Sequence, residues 1–255
     1  MSSIPVLMYH HVLPNEGFIA SSVENFEKQM KFFSDNGWKT LSANEFYLYK
    51  IGELKLAKKS VLITFDDGWR DNYVYAYPIL KKYNLKATLF VVTEWIEQAS
   101  NTQEYPYAEI NHKMCKKRIT THPRAVMCTW KELIEMQDVF DIHSHTHTHR
   151  DTYFGELAWV EEFKKSKHML HDKMNITSKH LCWPRGNYTN VLIQSAQKFN
   201  FDMLYTTKRG INRADGRITE IKRIAAKKDE KWLKKNLFIF SNTFLGKLYS
   251  WIKPE

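Results

Sequence analysis

Short apolar, β-branched runs alternate with longer amphipathic stretches along nearly the whole chain. Apolar runs without polar alternation suit strands buried on both faces, as in a parallel sheet or barrel, whereas apolar positions three and four apart suit helices laid over such a sheet. The runs predict strands at 5–9, 60–65, 87–92, 139–143, 180–183, 203–206 and 219–224, with helices at about 23–36, 71–83, 130–137, 156–174 and 191–199. Strand and helix in alternation predict an α/β fold with a barrel-like arrangement in a single domain. Two stretches break the rhythm. Residues 100–125 are polar, carry His112 and His122 and follow neither period, so a loop insertion is expected there, of the kind that shapes access to a site. The barrel is expected to occupy 1–226, and a basic tail, KKDEKWLKKNLFIFSNTFLGKLYSWIKPE, 227–255. Its apolar run is too short to cross a bilayer, and it suits either a helix lying on an anionic membrane face or a terminal helix covering one end of the barrel.

Composition narrows this picture only a little. With 43% hydrophobic and 14% aromatic residues in 255, the chain can bury a core, which sets general disorder aside. The net charge of +10 suits an anionic partner or simply a solvated basic surface, and no nucleic-acid recognition motif accompanies it. The three cysteines, Cys115, Cys128 and Cys182, form no CxxC pair, which favours a reducing compartment. The opening MSSIPVLMYHHV lacks a basic region followed by a long apolar run, so a cytoplasmic protein is expected, peripheral on the inner membrane if the tail binds there.

Four segments carry groups suited to chemistry. The run VLITF at 61–65 delivers Asp66 and Asp67 to its C-terminal end, where α/β folds place their active sites, and Gly68 follows. Adjacent acids repel unless a cation or a proton separates their roles, so one suits a metal and the other suits taking a proton from water. The run at 142–149, IHSHTHTH, sets His143, His145, His147 and His149 at alternate positions. On an extended segment all four share a face, whereas on a helix His145 and His149 still meet; spacing alone does not choose the binding pair. In LCWPRGNY, at 181–188, Pro184 and Gly186 bracket a tight bend whose backbone N–H can face a developing oxyanion. Finally, VLMYHH at 6–11 ends a strand with His10 and His11, and His10 falls at the same barrel end as the other groups, suited to protonating a leaving amine.

Taken in this order, VLMYHHV, TFDDGWRDNY, KATLFVV, SHTHTH and WPRGNY resemble the polysaccharide deacetylases of the NodB-homology carbohydrate esterases, in the variant with an opening MYH motif. The resemblance covers about residues 4–226. It implies a distorted (β/α) barrel with one divalent metal ion, usually zinc, held by Asp67, His145 and His149, with Asp66 as catalytic base and His10 as acid. His143 and His147 are then neighbours of the ligands. The third motif implies the backbone amide of Arg185 at the oxyanion, with Trp183, Pro184, Gly186 and Tyr188 around the substrate. Relatives mostly carry Tyr or Phe at the Arg185 position, so a charge suited to a phosphate-bearing substrate replaces a stacking ring. Cys182 stands where an arginine often orients the base, leaving Arg70 or Arg223 for that task.

The expected reaction is removal of an N-acetyl group from an amino sugar in a polysaccharide or lipid-linked glycan. A metal-dependent hydrolase of a cyclic or linear non-sugar amide would use the same groups. A catalytically inactive glycan-binding protein is disfavoured by the presence of Asp66, Asp67, His145 and His149 together.

Overall fold

A computed structural model describes residues 3–150, 156–226 and 229–252. The chain opens with β1 (Val6–Tyr9), β2 (His11–Leu13) and β3 (Ala20–Ser22), followed by α1 (Val23–Asp35), β4 (Lys39–Thr40) and α2 (Ala43–Lys50). β5 (Ser60–Asp67) leads through a π-helical turn, Asn72–Ala76, into α3 (Tyr77–Lys82), and then come β6 (Ala87–Val91), α4 (Thr93–Asn101), α5 (His112–Ile119) and α6 (Trp130–Glu135). The remainder runs β7 (Phe140–Ser144), α7 (Glu156–Met174), β8 (His180–Cys182), α8 (Asn190–Lys198), β9 (Met203–Tyr205), β10 (Ile224–Ala225), α9 (Glu230–Ser241) and α10 (Thr243–Ile252).

One sheet runs in the order β10-β1-β5-β6-β7-β8-β9, with β4 beside the start of β5, and all its pairings are parallel. Parallel strands covered on both faces need apolar residues throughout, and every residue of β1, β5 and β6 is buried. Ile221 bridges to Tyr205 on β9 while Ile224 pairs with Leu7 on β1, so residues 221–225 join the two edges of the curled sheet into a distorted barrel. Strand C-termini, and therefore Asp66, Asp67 and Ser144, gather at one end.

Three expectations change. The strand expected at 219–224 contracts to Ile224–Ala225 and the Ile221 bridge, with Arg223 sending its side chain into the barrel. The helix expected at 71–83 begins as a π turn: Pro78 has no N–H to return to residue 74, so the ladder shifts before α3. The insertion at 100–125 holds a helix, α5, capped by Asn111, whose side chain accepts from the Met114 N–H. Only Cys115 and Ile119 of α5 are buried, too sparse an apolar stripe to declare a helix in sequence. α2 was also unexpected, although its capping box, Ser42 with Glu45, is a readable signature.

The tail divides in two. Leu233, Leu237 and Phe240 of α9 join the main core against the barrel, whereas α10 leaves Phe244, Leu248, Trp251 and Ile252 exposed. Residues 227–228 and 253–255 of the expected tail lie outside the described residues.

Candidate active site

β5 presents its two terminal acids in opposite directions, because successive side chains on a strand alternate. Both are buried. The chain leaves the strand through positive φ at Asp67 (79°) and Gly68 (88°), and a Cβ on Gly68 would come within 3.0 Å of Ile96 and 3.2 Å of Val91. Glycine is therefore required for the backbone to turn so close to α4 and β6.

Asp67 faces two imidazoles. Its Oδ1 lies 3.4 Å from His145 Nε2 and 3.3 Å from His149 Nε2, and its Oδ2 accepts a hydrogen bond from Trp69 Nε1 at 2.8 Å. His145 Nδ1 donates to the Cys182 carbonyl at 2.8 Å, which turns Nε2 toward Asp67. Oδ1 of Asp67 is buried without a hydrogen-bond partner. An unsatisfied carboxylate oxygen beside two imidazole nitrogens, one of them oriented by the hydrogen bond on the far side of its ring, is a donor set that fits a divalent cation. Burial pushes the Asp67 carboxyl up, but the two imidazoles outweigh it and hold it well below the usual range.

The loop bearing these histidines is itself pinned. Thr146 and His149 adopt positive φ, 69° and 58°, and Glu162 of α7 accepts from the backbone N–H of His147 (2.9 Å) and Thr148 (2.8 Å) and from the Thr148 hydroxyl (2.7 Å). β7 ends at Ser144, so the four histidines do not share a face: His143 turns to Ser178 and the His180 ring, and His147 to Thr93, while His145 and His149 converge.

Asp66 meets Arg223. Nη1 donates to Oδ1 at 2.7 Å and Nη2 to Oδ2 at 2.8 Å, both partners being buried, and the same guanidinium reaches Thr64, the Thr206 carbonyl and, at 3.0 Å, Cys182 Sγ. Burial alone would raise the Asp66 carboxyl; the Arg223 charge and hydrogen bonds outweigh it and keep it ionised. Asp66, His145 and Cys182 also place ligand-type atoms within 4.8 Å of one another, but the fixed charge of Arg223 among them disfavours a cation there. His10 Nε2 stands 3.8 Å from Asp66 Oδ2, its pKa lowered by burial against the opposing pull of Asp66 and Asp67.

Arg70, the other arginine considered for the base, points elsewhere. It binds Glu132 and the carbonyls of Tyr105 and Arg124, tying the insertion to α6. His11 likewise turns from the site to Asp71, at 2.7 Å.

In the third motif Arg185 takes φ 56°, ψ 11° within the turn Pro184–Gly186 and exposes its side chain. A Cβ on Gly186, φ 69°, would collide with Thr207 Oγ1 at 2.2 Å. Trp183 departs from the expected substrate contact: it is fully buried against Trp159, Phe163 and Tyr188, so its ring serves the core. Pro184 is also buried, and Tyr188 is half-buried with its hydroxyl on Glu220. Sequence reasoning overlooked Trp69 and Glu162. The first is adjacent to the acidic pair; the second is an ordinary glutamate in an amphipathic helix and carries no signal.

A family model described as polysaccharide deacetylase matches residues 53–204. The protein YxkH of Bacillus subtilis (strain 168), whose name places it among the polysaccharide deacetylases, is 31% identical over 211 residues, covering 82% of this chain and 66% of YxkH. The poly-β-1,6-N-acetyl-D-glucosamine N-deacetylase of Escherichia coli (strain K12) is 22% identical over 248 residues, 79% of this chain but 35% of that enzyme, so the chain spans two thirds or less of these relatives. Among solved structures, the Streptococcus pyogenes deacetylase PplD in complex with acetate superposes with a TM-score of 0.76 at 28% identity, covering 94% of this chain and 98% of that one. IcaB from Ammonifex degensii has the same fold, with a TM-score of 0.74 at 20% identity and coverage of 92% and 96%. With more than half of its residues matched by the family model, the chain belongs to the polysaccharide deacetylase family.

Proposed function

We propose that this protein is a metal-dependent carbohydrate N-deacetylase. The observation that carries the reading is the unsatisfied Asp67 Oδ1 facing His145 and His149, next to a second carboxylate, Asp66, held ionised and oriented by Arg223. A divalent ion held by Asp67, His145 and His149, proposed as zinc, supplies Lewis acidity toward the acetyl carbonyl and its attacking water.

Asp66 takes the proton from that water as oxygen adds to the acetyl carbon. Both carboxylate oxygens are fixed by Arg223, so the base needs no reorientation at the moment of transfer. The N–H of Arg185 meets the charge growing on the carbonyl oxygen. His10, kept neutral at rest by burial, takes up the proton that Asp66, 3.8 Å away, drew from the water and passes it to the sugar nitrogen while the C–N bond breaks. Water is consumed, and acetate and a free amino sugar leave.

The substrate class is an N-acetylated amino sugar in a polysaccharide or lipid-linked glycan, and the exposed Arg185 suits a phosphate nearby. We further propose peripheral association with the inner membrane from the cytoplasm. On α9 and α10, Phe238 (72% exposed), Phe244 (73%) and Trp251 (80%) lie among Lys231, Lys234, Lys235 and Lys247, a combination matched to an anionic bilayer surface. Among the described residues no helix is long and apolar enough to cross a membrane. Failure to co-sediment with phosphatidylglycerol vesicles at low salt would remove this part.

The test of function is acetate release from N-acetylated sugars, free, polymeric and lipid-linked, by metal-loaded enzyme, chelated enzyme and Asp66→Asn. Metal-dependent release lost in Asp66→Asn supports the deacetylase. Activity confined to non-sugar amides replaces it with an amidohydrolase on the same fold.

A further inference from the structure

The indole of Trp69 stands directly behind Asp67. Its Nε1 donates to Asp67 Oδ2 at 2.8 Å, which leaves Oδ1 as the oxygen turned toward His145 and His149. A carboxylate tethered in this way offers a cation one oxygen in one orientation, whereas a free one must be ordered when the cation binds.

The indole is itself buried and clamped by three rings. His11 stacks on its face, with centroids 4.5 Å apart and planes 28° apart; His112 meets it edge-on at 5.6 Å, and Trp95 lies tilted at 6.0 Å. Its backbone is fastened by the chain returning from the insertion: the Arg70 N–H donates to the Val126 carbonyl at 2.7 Å, and the Cys128 N–H to the Gly68 carbonyl at 3.0 Å.

Two of the clamping rings belong to a string of side chains that the deacetylation steps leave unused. His11 Nδ1 donates to Asp71 Oδ2 at 2.7 Å, and Asp71 Oδ1 accepts from the Val12 N–H at 2.8 Å and from Asn72 Nδ2 at 2.9 Å. His11 Nε2 lies 3.1 Å from His112 Nδ1, a contact between residues 101 apart in the chain. His112 opens α5, so the helix brings its imidazole from the insertion onto His11 and Trp69 at once. Apolar side chains could fill the same space; the hydrogen bonds in addition fix the plane of each imidazole. Burial lowers His112 to about 4, so at neutral pH it adds no charge that would repel a cation.

We propose that His112 is a positioning residue for the metal centre: with His11 it orients Trp69, which holds Asp67 for the metal, so the insertion sets the affinity of a site to which it contributes no ligand. The proposal rests on the metal-dependent deacetylase reading.

The experiment measures the zinc Kd of chelated protein by competition with a chromophoric chelator, alongside its urea midpoint without metal. Trp69→Phe keeps a ring between His11 and His112 but removes the donor to Asp67, and is expected to weaken zinc about 10–100-fold, the scale of lost outer contacts. His112→Ala is expected to weaken it in the same direction, and His112→Phe, which keeps a ring edge against Trp69, to recover part of that loss. Because both changes act through one hydrogen bond, Trp69→Phe/His112→Ala should bind zinc no more weakly than Trp69→Phe. Additive losses in the double variant overturn the proposal, as does a lowered urea midpoint with the parental Kd, which would make the rings core packing only. A parent that binds no zinc removes the metal reading and this inference with it; a parent that binds zinc, with both single variants at its affinity, overturns the inference and leaves the deacetylase reading standing.

Discussion

Arg223 grips both carboxylate oxygens of Asp66, at 2.7 and 2.8 Å, from 157 residues away in the chain. Removing one member of a buried pair strands the other charge, at a cost of about 3–5 kcal/mol. Arg223→Met is therefore expected to lower the urea midpoint sharply and, by freeing the base, to reduce kcat by roughly 10²–10⁴-fold. The Asp66 pKa rises with the loss of its partner, so the acid limb of the rate profile moves to higher pH. The double variant Arg223→Met/Asp66→Asn regains most of the stability and none of the activity. Retention of parental kcat by Arg223→Met would sink the proposed role of Asp66.

The convergence of Asp67, His145 and His149 predicts a stability that depends on metal. A ligand bound only by the folded state stabilises by about 2.7 kcal/mol when present at 100 times its Kd. Zinc added to chelated protein is expected to raise the melting temperature, and His149→Ala to abolish most of the rise by deleting a nitrogen that faces Asp67 at 3.3 Å. Identical melting curves with zinc and with chelator would remove the metal centre.

Glu162 touches no reacting group, yet its three hydrogen bonds hold the strained loop between His145 and His149, the proposed ligands. Outer contacts of this sort typically matter about 10–100-fold in metal affinity. Glu162→Ala is expected to weaken zinc binding on that scale, measured by competition with a chromophoric chelator. Glu162→Gln keeps an oxygen for the two amides and an NH₂ group for the Thr148 hydroxyl, so it should recover part of the loss. Equal affinity in parent and alanine variant would show that the loop holds its shape unaided.

The central parallel strands and the acidic pair were readable because the demands on them are local. Residues 61–65 are apolar without interruption since both faces of β5 are covered, and Asp66 and Asp67 follow where that strand must end. The histidine segment suggested a loop suited to ligands, but the convergence of His145 and His149 on Asp67 depends on the positive φ of Thr146 and on Glu162, neither of which leaves a periodic trace. The partner of Asp66 was harder still. Arg70 sits four residues away and Arg223 just before the distant β10, and only closure of the sheet by residues 221–225 brings the latter inside. Trp183 was misplaced for a related reason: proximity to the bend suggested a substrate contact, whereas packing against Trp159 and Phe163 of α7 takes its ring into the core.

Two histidines with no part in the proposed chemistry supply a pH prediction. The rings of His143 and His180 lie 4.4 Å apart, with Ser178 and Tyr205 as hydrogen-bond neighbours and, among the described residues, no carboxylate bound to either. Burial lowers His143 to about 3 and His180 well below its ordinary value. The unfolded chain thus takes up protons near pH 6.5 that the folded state refuses. Stability from this source is complete above pH 6.5 and is lost as pH falls, by up to about 1.4 kcal/mol per pH unit for each histidine. Depressed carboxylates such as Asp66 lose their contribution only below about pH 4 and stay out of the window from 7 to 5. His145, raised by its anionic neighbours, acts with the opposite sign, so the comparison must be between variants. His180→Gln is expected to flatten the fall in urea midpoint of chelated protein between pH 7 and pH 5. A slope equal to that of the parent would mean that His180 accepts a proton in place without opening the fold.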